Sequence, residues 1–190
     1  LREIGGFSLE MLERMSFQNF NPRGSTRSDQ REDQETLKMA LKAAKIFAHS
    51  PEGWLFLTGV HGNGKTHLAV AVAGKSLKQG GPVFLAFVPS LLDHLRATFS
   101  PESRVTYDEL FEEVKTAPWL LLDDLGAENS TPWAEDKLYQ LLVYRHNLRI
   151  PTIITSALDA DEIEVKKPGV GSRLKDPHVV QEIVITASDY

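Results

Sequence analysis

Short apolar runs alternate along this chain with longer segments that have the features of helices. The runs lie at residues 54–57, 83–88, 119–122, 152–155 and 179–186, and their length is typical of buried strands. Helical periodicity or helix-capping residues mark the segments between them, at residues 67–77, 91–99, 106–115, 131–148 and 159–165. This alternation predicts an α/β fold in which a parallel sheet of five strands is covered by helices on both faces.

The N-terminal part of the chain does not fit the alternation. A short amphipathic helix is expected at residues 8–15, followed by the extended segment Phe17-Gln-Asn-Phe-Asn-Pro22, a polar linker from Arg23 and a helix at residues 35–49. We therefore expect an N-terminal helix and linker over residues 1–33 and one core domain over residues 34–190. Because the sequence begins with Leu1 rather than Met, residues 1–33 are expected to be the remnant of an upstream region.

The first predicted strand leads into a glycine-rich turn. Its residues match the phosphate-binding template G-x-x-x-x-G-K-[ST], with the strand before and the helix after that the template requires. Glycines let backbone amides approach an anion closely, and the helix N-terminus attracts negative charge. Lys65 is expected to neutralise phosphate and Thr66 to bind a metal ion. The expected nucleotide-binding residues are Gly59, Val60, His61, Gly62, Asn63, Gly64, Lys65, Thr66 and His67.

Polar residues also end the third and fourth predicted strands, where ligands of parallel sheets lie. Asp123 is the expected magnesium carboxylate, and Asp124 is the candidate that polarises an attacking water. An aspartate at the second position has a shorter reach than the more usual glutamate. Thr155 or Ser156 is expected to contact the γ-phosphate or its water, and the alternative is a polar residue that merely ends a strand.

Other polar residues have weaker functional signals. Arg173, after an expected loop at residues 166–171, is a candidate to stabilise transition-state charge at another subunit's γ-phosphate, or else a surface arginine in a weak ion pair. Phe17 and Phe20 fit packing and an adenine pocket equally well. His61 and Asn63 are expected to contribute only amide groups, and His67 to pack. The basic residues expected to be solvated are Lys75, Lys78, Lys137, Arg145 and Arg149.

Composition narrows the range of functions. The 190 residues are 42% hydrophobic and 25% charged, which is typical of a single globular domain. No apolar run reaches the roughly 18 residues that span a membrane, and cysteine is absent, which excludes a disulfide framework and thiolate metal sites. We expect a cytoplasmic protein without a membrane partner. The net charge of −5 argues against nucleic-acid binding through the overall field but permits a local basic face.

The motif residues resemble those of DnaC/DnaI-type replicative helicase loaders and the related IstB transposition ATPases. The resemblance covers about residues 16 to 190, and its matches are Gly59-Val-His-Gly-Asn-Gly-Lys-Thr-His-Leu-Ala69, Leu120-Leu-Leu-Asp-Asp-Leu-Gly126, Pro151-Thr-Ile-Ile-Thr-Ser156, Ser172-Arg-Leu174 and Ala187-Ser-Asp-Tyr190. It implies an AAA+ P-loop NTPase fold of three layers, with strand order 5-1-4-3-2 and no substantial C-terminal lid. It also implies ATP/ADP and Mg²⁺ as cofactors, and a homo-oligomer with shared ATP sites that contacts single-stranded DNA and a DnaB-type helicase.

By this resemblance, Lys65 and Thr66 bind phosphate and metal, Asp123 and Asp124 form the Walker B pair, and Arg173 is the arginine finger. Two positions depart from the family pattern. Ala157 stands where the family usually has Asn, which leaves Ser156 as the candidate sensor or makes hydrolysis weak. Gly169 stands where the family often has a further arginine, so a second basic contact is lost.

The expected function is therefore the ATP-binding and hydrolysing core of a DNA replication helicase loader, a primosomal protein with slow Mg²⁺-dependent turnover. One alternative is an IstB-like transposition ATPase, which shares every core motif. Another is an interaction switch that binds ATP and scarcely hydrolyses it, which Ala157 favours. A GTPase is disfavoured because the sequence has no Asn-Lys-x-Asp base-reading motif.

Overall fold

The computed structural model of this protein describes residues 1–24 and 31–187. Residues 25–30 of the expected linker and the last three residues of the Ala187-Ser-Asp-Tyr190 match lie outside these residues. The elements in chain order are β1 (Arg2–Ile4), α1 (Leu9–Arg14), α2 (Arg31–His49), β2 (Trp54–Thr58), α3 (Lys65–Lys78), β3 (Val83–Phe87), α4 (Val88–Ala97), α5 (Tyr107–Thr116), β4 (Trp119–Asp123), α6 (Pro132–Asn147), β5 (Thr152–Ser156), α7 (Ala160–Lys166), α8 (Pro168–Leu174) and β6 (Val180–Val184).

The strands form one parallel sheet in the order β1-β3-β4-β5-β2-β6. The five strands predicted from apolar runs, β2 to β6, have the expected order 5-1-4-3-2, so that part of the prediction is confirmed. The strand count of five is wrong, because β1 adds to the sheet edge beside β3 with Arg2 opposite Phe84. The short β1 strand lacks an apolar run, and of its three residues only Ile4 is buried, so its pattern is invisible in the sequence.

Two hydrophobic cores lie on opposite faces of the sheet, as expected for a three-layer fold. Along β2, Trp54 and Phe56 face a core shared with helices α4 to α8. Leu55 and Leu57 face the other core, shared with α1, α2 and α3. Strands covered on both faces are apolar over most of their length, which is why the predicted runs located them. No helix follows β6 in the described part of the chain.

The N-terminal segment packs against the second core. Helix α1 forms where a short helix was predicted, and its start is capped by the Ser8 hydroxyl. Phe7, Leu12 and Phe20 are buried against α2, α3 and β2. Helix α2 already begins at Arg31, so the division drawn after residue 33 falls within its first turn. Among the residues that the structure describes, no helix is both long and apolar enough to cross a bilayer.

Residues 168–174 form helix α8, so the expected loop at residues 166–171 is wrong over most of its length. The glycines that suggested a loop serve close packing instead. A Cβ atom on Gly169 would lie 2.7 Å from the ring of Tyr139 on α6. One on Gly171 would lie 2.2 Å from the backbone of Glu164 on α7. Glycine therefore lets α8 approach both neighbouring helices.

Arg145 is fully buried, so its expected solvation is wrong. Its guanidinium joins the C-terminus of α5 to the start of β5. Burial lowers the pKa of Arg145 to about 9, and the group stays charged at neutral pH. Its hydrogen-bond acceptors are the Thr152 hydroxyl and the backbone carbonyls of Val114, Lys115, Ala117 and Pro151.

Candidate nucleotide-binding site

The phosphate loop has a backbone that only glycine adopts easily at several positions. Gly59, Gly62 and Gly64 have φ angles of 130°, 83° and 90°, in the region that disfavours side chains. At Gly59 a Cβ atom would also lie 2.2 Å from the carbonyl oxygen of Ile185. The loop leads directly into α3 at Lys65, so the loop and the helix N-terminus adjoin where the sequence predicts an anion site.

The Lys65 ammonium is buried within this loop. It donates to the carbonyl oxygens of Gly59 and Val60, at 2.6 and 2.7 Å, and to Asn63 Oδ1 at 3.0 Å. Burial lowers the pKa of Lys65, and the nearby carboxylates of Asp124 and Asp123 oppose that shift. All three ammonium donors are therefore used inside the loop, and a phosphate must replace loop acceptors to bind Lys65.

Asn63 does more than contribute its amide group. Its buried side chain donates from Nδ2 to the carbonyl oxygen of Ile185 at 2.9 Å and accepts from Lys65. This bond ties the phosphate loop to the chain just after β6. The two residues are 122 positions apart, so no local pattern in the sequence signals the contact.

Replacing Asn63 with alanine is expected to lower the free energy of unfolding by about 1–3 kcal/mol, because the buried Ile185 carbonyl loses its donor. Urea denaturation without nucleotide measures the change. His61→Ala is the matched control, since His61 is exposed on the same loop and should change stability by less than about 0.5 kcal/mol. Equal stability of both variants would contradict an anchoring role for Asn63.

The structure brings Thr66 and Asp123 together, as expected for a magnesium site. Asp123 Oδ1 accepts hydrogen bonds from the hydroxyls of Thr66 at 2.8 Å and Thr155 at 2.7 Å. Burial raises the pKa of Asp123, and these two hydroxyls oppose the shift. Hydroxyl and carboxylate oxygens are the ligands that Mg²⁺ prefers. The described residues contain no cluster of three or more histidine, cysteine or acidic residues that could hold a metal ion.

Asp124 is held in an unusual backbone conformation beside Asp123. Its φ angle is 62°, which aspartate tolerates better than most residues. Its amide donates to the Thr155 hydroxyl at 2.9 Å. Asp124 and Asp123 line a cavity of about 260 Å³ together with Met15, Thr155 and residues 61–67. The acidic pair and the phosphate loop therefore meet in one cavity.

Thr155, rather than Ser156, lies on this cavity. Ser156 is fully buried, donates its hydroxyl to the Leu125 carbonyl at 2.6 Å and accepts from the Leu158 amide at 3.0 Å. Neighbouring residues of a strand face opposite sides of the sheet, so only one of the two can reach the cavity. Ser156 as sensor thus stays a prediction, and the structure offers Thr155 for the same task.

His67 joins the first turn of α3 to the N-terminal segment. Its Nε2 lies 2.9 Å from the Ser16 carbonyl oxygen, and its ring meets Phe20 edge-on at 5.3 Å. Phe20 is buried and Phe17 is partly buried against the same core. Neither phenylalanine lines the cavity, although Met15 does. The packing interpretation of Phe20 is therefore the one that the structure favours.

Arg173 lies on α8, outside the cavity of its own chain. Its guanidinium is centred 5.1 Å from the ring of Tyr139, and Nη1 donates to the Gly169 carbonyl at 2.7 Å. Its buried Nε has no hydrogen-bond partner within the described residues. The same ring fills the space beside Gly169, which explains why a further arginine is not accommodated there.

Comparison with known proteins decides the family. The family described as IstB-like ATP binding protein matches residues 16–166. The chain belongs to this family. The match covers the phosphate loop and both aspartates of this IstB-like protein and ends before α8, so it does not include Arg173.

Two curated relatives are replicative helicase loaders. The IstB-like protein is 32% identical over 111 residues to DnaI of Bacillus subtilis (strain 168), covering 58% of this chain and 35% of the relative. It is 26% identical over 125 residues to DnaC of Buchnera aphidicola subsp. Acyrthosiphon pisum, covering 66% of this chain and 50% of the relative. The chain thus spans between a third and a half of the length of these relatives.

Solved structures share the fold over nearly the whole chain. A crystal structure of DnaI has a TM-score of 0.73 at 25% identity and covers 99% of this chain and 95% of its own. A crystal structure of the DnaC helicase loader has a TM-score of 0.73 at 22% identity and covers 94% of this chain and 100% of its own. The structure of the replication initiator DnaA bound to AMPPCP and single-stranded DNA has a TM-score of 0.71 at 18% identity. It covers 90% of this chain and 50% of its own.

Proposed function

We propose that this IstB-like protein is the ATP-hydrolysing core of a replicative helicase loader that depends on Mg²⁺. The proposal rests on one observation: the phosphate loop, Asp123 and Asp124 line the same cavity. The loader role rests on its likeness to DnaI and DnaC. A cytoplasmic location is part of this proposal.

Each cavity residue has a distinct task in this proposal. The loop amides and Lys65 hold the phosphates of ATP, and Thr66 and Asp123 hold Mg²⁺, which neutralises charge on the phosphates when bound. Asp124 orients the attacking water and accepts its proton. Thr155 fixes this arrangement, because its hydroxyl donates to Asp123 and accepts from the Asp124 amide.

Arg173 supports the proposal that active sites are shared between subunits. The residue lies outside the cavity of its own chain and is only partly buried. In a homo-oligomer it would complete the site of a neighbouring subunit. The ring of Tyr139 beneath the guanidinium holds the group in place by a cation–π contact.

A partly exposed aromatic cluster supports single-stranded DNA as a partner. Phe99 is 59% exposed and stacks on Tyr107 at 5.3 Å, while its edge meets Trp133 at 6.1 Å. Two cations flank the cluster, with Arg96 over Trp133 and Lys137 over Tyr107. Aromatic faces beside cations are the features that bind unpaired bases and their phosphates.

Phe99→Ala is expected to weaken single-stranded DNA binding about 5-fold to 100-fold, the loss for one base–aromatic stack. Fluorescence anisotropy with a labelled oligothymidylate measures the affinity at several salt concentrations. Leu148→Ala is the control, because Leu148 is 58% exposed but lies at the C-terminus of α6, whereas Trp133 lies in its first turn. Equal affinities for both variants would exclude this cluster as the DNA-binding face.

ATP turnover with a DnaB-type helicase and single-stranded DNA tests the function. We expect slow basal turnover that helicase or DNA stimulates, and its loss in Lys65→Ala and Asp124→Ala. Stimulation by a transposase instead would favour the IstB-like transposition role. Tight ATP binding without turnover under any condition would favour the interaction switch, which the alanine at position 157 supports, and Ala157→Asn would then be the variant to test.

A further inference from the structure

A buried ion pair connects the loop after β4 with helix α8. The Glu128 side chain is 2% exposed and accepts from the Lys167 ammonium, which is 10% exposed. The second carboxylate oxygen of Glu128 accepts from the Gly126 amide at 2.8 Å. Both oxygens of one carboxylate are thus committed, one to each side of this junction.

On one side, Glu128 fixes the loop that carries the water-orienting aspartate. Strand β5 holds the start of this loop, because Thr155 accepts from the Asp124 amide through its hydroxyl and from the Leu125 amide through its carbonyl oxygen. Glu128 holds Gly126, two residues beyond Asp124. Asp124 therefore lies on a short segment that is fastened at both ends.

On the other side, Lys167 is the junction between α7 and α8. Its amide donates to the Ile163 carbonyl of α7 at 2.7 Å, and its own carbonyl accepts from the Val170 and Gly171 amides of α8. Arg173 lies on this short helix and bonds back to the Gly169 carbonyl. The ion pair therefore sets where α8 begins and, through it, where Arg173 is presented.

We propose that Glu128 is a positioning residue that couples the ATP site of its own subunit to the arginine that the subunit offers to its neighbour. The inference rests on the proposed function, because it requires sites shared between subunits. Stability alone does not require the pair, since a buried ion pair contributes little more than apolar residues of similar size. Its connections explain it better: one carboxylate holds both the Asp124 loop and the start of α8.

Mixed oligomers separate the two effects of Glu128. Lys65→Ala subunits lack a working site but still offer Arg173, and Arg173→Ala subunits keep a site that only a neighbour can complete. Mixing them should restore part of the ATP turnover. Failure to restore it would refute shared sites themselves, whatever the role of Glu128.

Glu128→Gln is then added either to the Lys65→Ala subunits or to the Arg173→Ala subunits of the mixture. The amide keeps an acceptor for Gly126 but loses the charge that binds Lys167. We expect turnover of the mixture to fall about 10-fold to 100-fold in either position, as expected when a reacting group is misplaced. Lys167→Met should reproduce both losses, and adding it to Glu128→Gln should cause no further loss. Urea denaturation of each variant checks that the fold is retained.

Glu164→Gln is the matched control, because Glu164 on α7 forms an exposed ion pair at 2.7 Å with Lys175, which follows α8. It should leave turnover of both mixtures unchanged. Suppose that turnover falls only when Glu128→Gln is in one of the two kinds of subunit. Glu128 would then support only the Asp124 loop or only the start of α8, and the coupling would be refuted. No loss in either position would refute the proposal altogether.

Discussion

Arg173→Ala is expected to lower ATP turnover about 1,000-fold while ATP affinity changes little, since an arginine finger stabilises charge that develops in the transition state. Arg173 lies on α8 outside the cavity of its own chain, so its loss should spare nucleotide binding. Steady-state turnover and binding of a fluorescent ATP analogue measure the two quantities on the same preparations.

Two further variants sharpen this test. Arg173→Lys keeps the charge but lacks the planar donors of guanidinium, and should recover only a small part of the turnover. Lys166→Ala removes an exposed cation near the start of α8 and should have no effect. Normal turnover in Arg173→Ala, or a loss of ATP affinity that accounts for the whole defect, would contradict the finger role.

Arg145→Met is expected to lower the free energy of unfolding by about 3–5 kcal/mol, because several buried carbonyl groups lose their donor at once. Urea denaturation without nucleotide measures the change. Burial lowers the pKa of Arg145 only to about 9, below its unfolded value. The folded state releases this proton only above that pH, so the difference should be constant across the neutral range.

Lys75→Met is the control for Arg145, since both residues were expected to be solvated and Lys75 is indeed exposed on α3. Its effect should be within about 0.5 kcal/mol. If Arg145→Met is as stable as this control, methionine packing and water compensate for the lost hydrogen bonds, and the guanidinium is not a structural clamp.

The strands and Arg145 show which features of the fold can be predicted from the sequence. Strands β2 to β6 were predictable because each has apolar or β-branched residues over most of its length, and their order followed from the family resemblance. Strand β1 was not, since Arg2 and Glu3 are exposed and a single residue, Ile4, is buried. Arg145 was missed for the converse reason: its burial depends on acceptors from β5 and α5 that no local pattern announces.

The candidate site divides in the same way. Lys65, Thr66, Asp123 and Asp124 were predicted from local motifs at strand ends, and the structure brings them into one cavity. The choice between Thr155 and Ser156 depends on which face of β5 meets the loop, and strand position alone left it open. Asn63 and Glu128 act through partners far along the chain, so their roles required the three-dimensional structure.

The hydrogen bond between Asn63 and Ile185 also determines when the ATP site can form during synthesis of the chain. The phosphate loop is complete in sequence by Thr66, yet its anchor is synthesised 122 residues after Asn63. Strand β2 must likewise wait for both of its neighbours, β5 and β6, and such non-local pairings form slowly. On the ribosome, a nascent chain therefore carries the whole phosphate-loop motif without the shape that binds ATP. Nucleotide binding should report that almost the entire domain has emerged and folded.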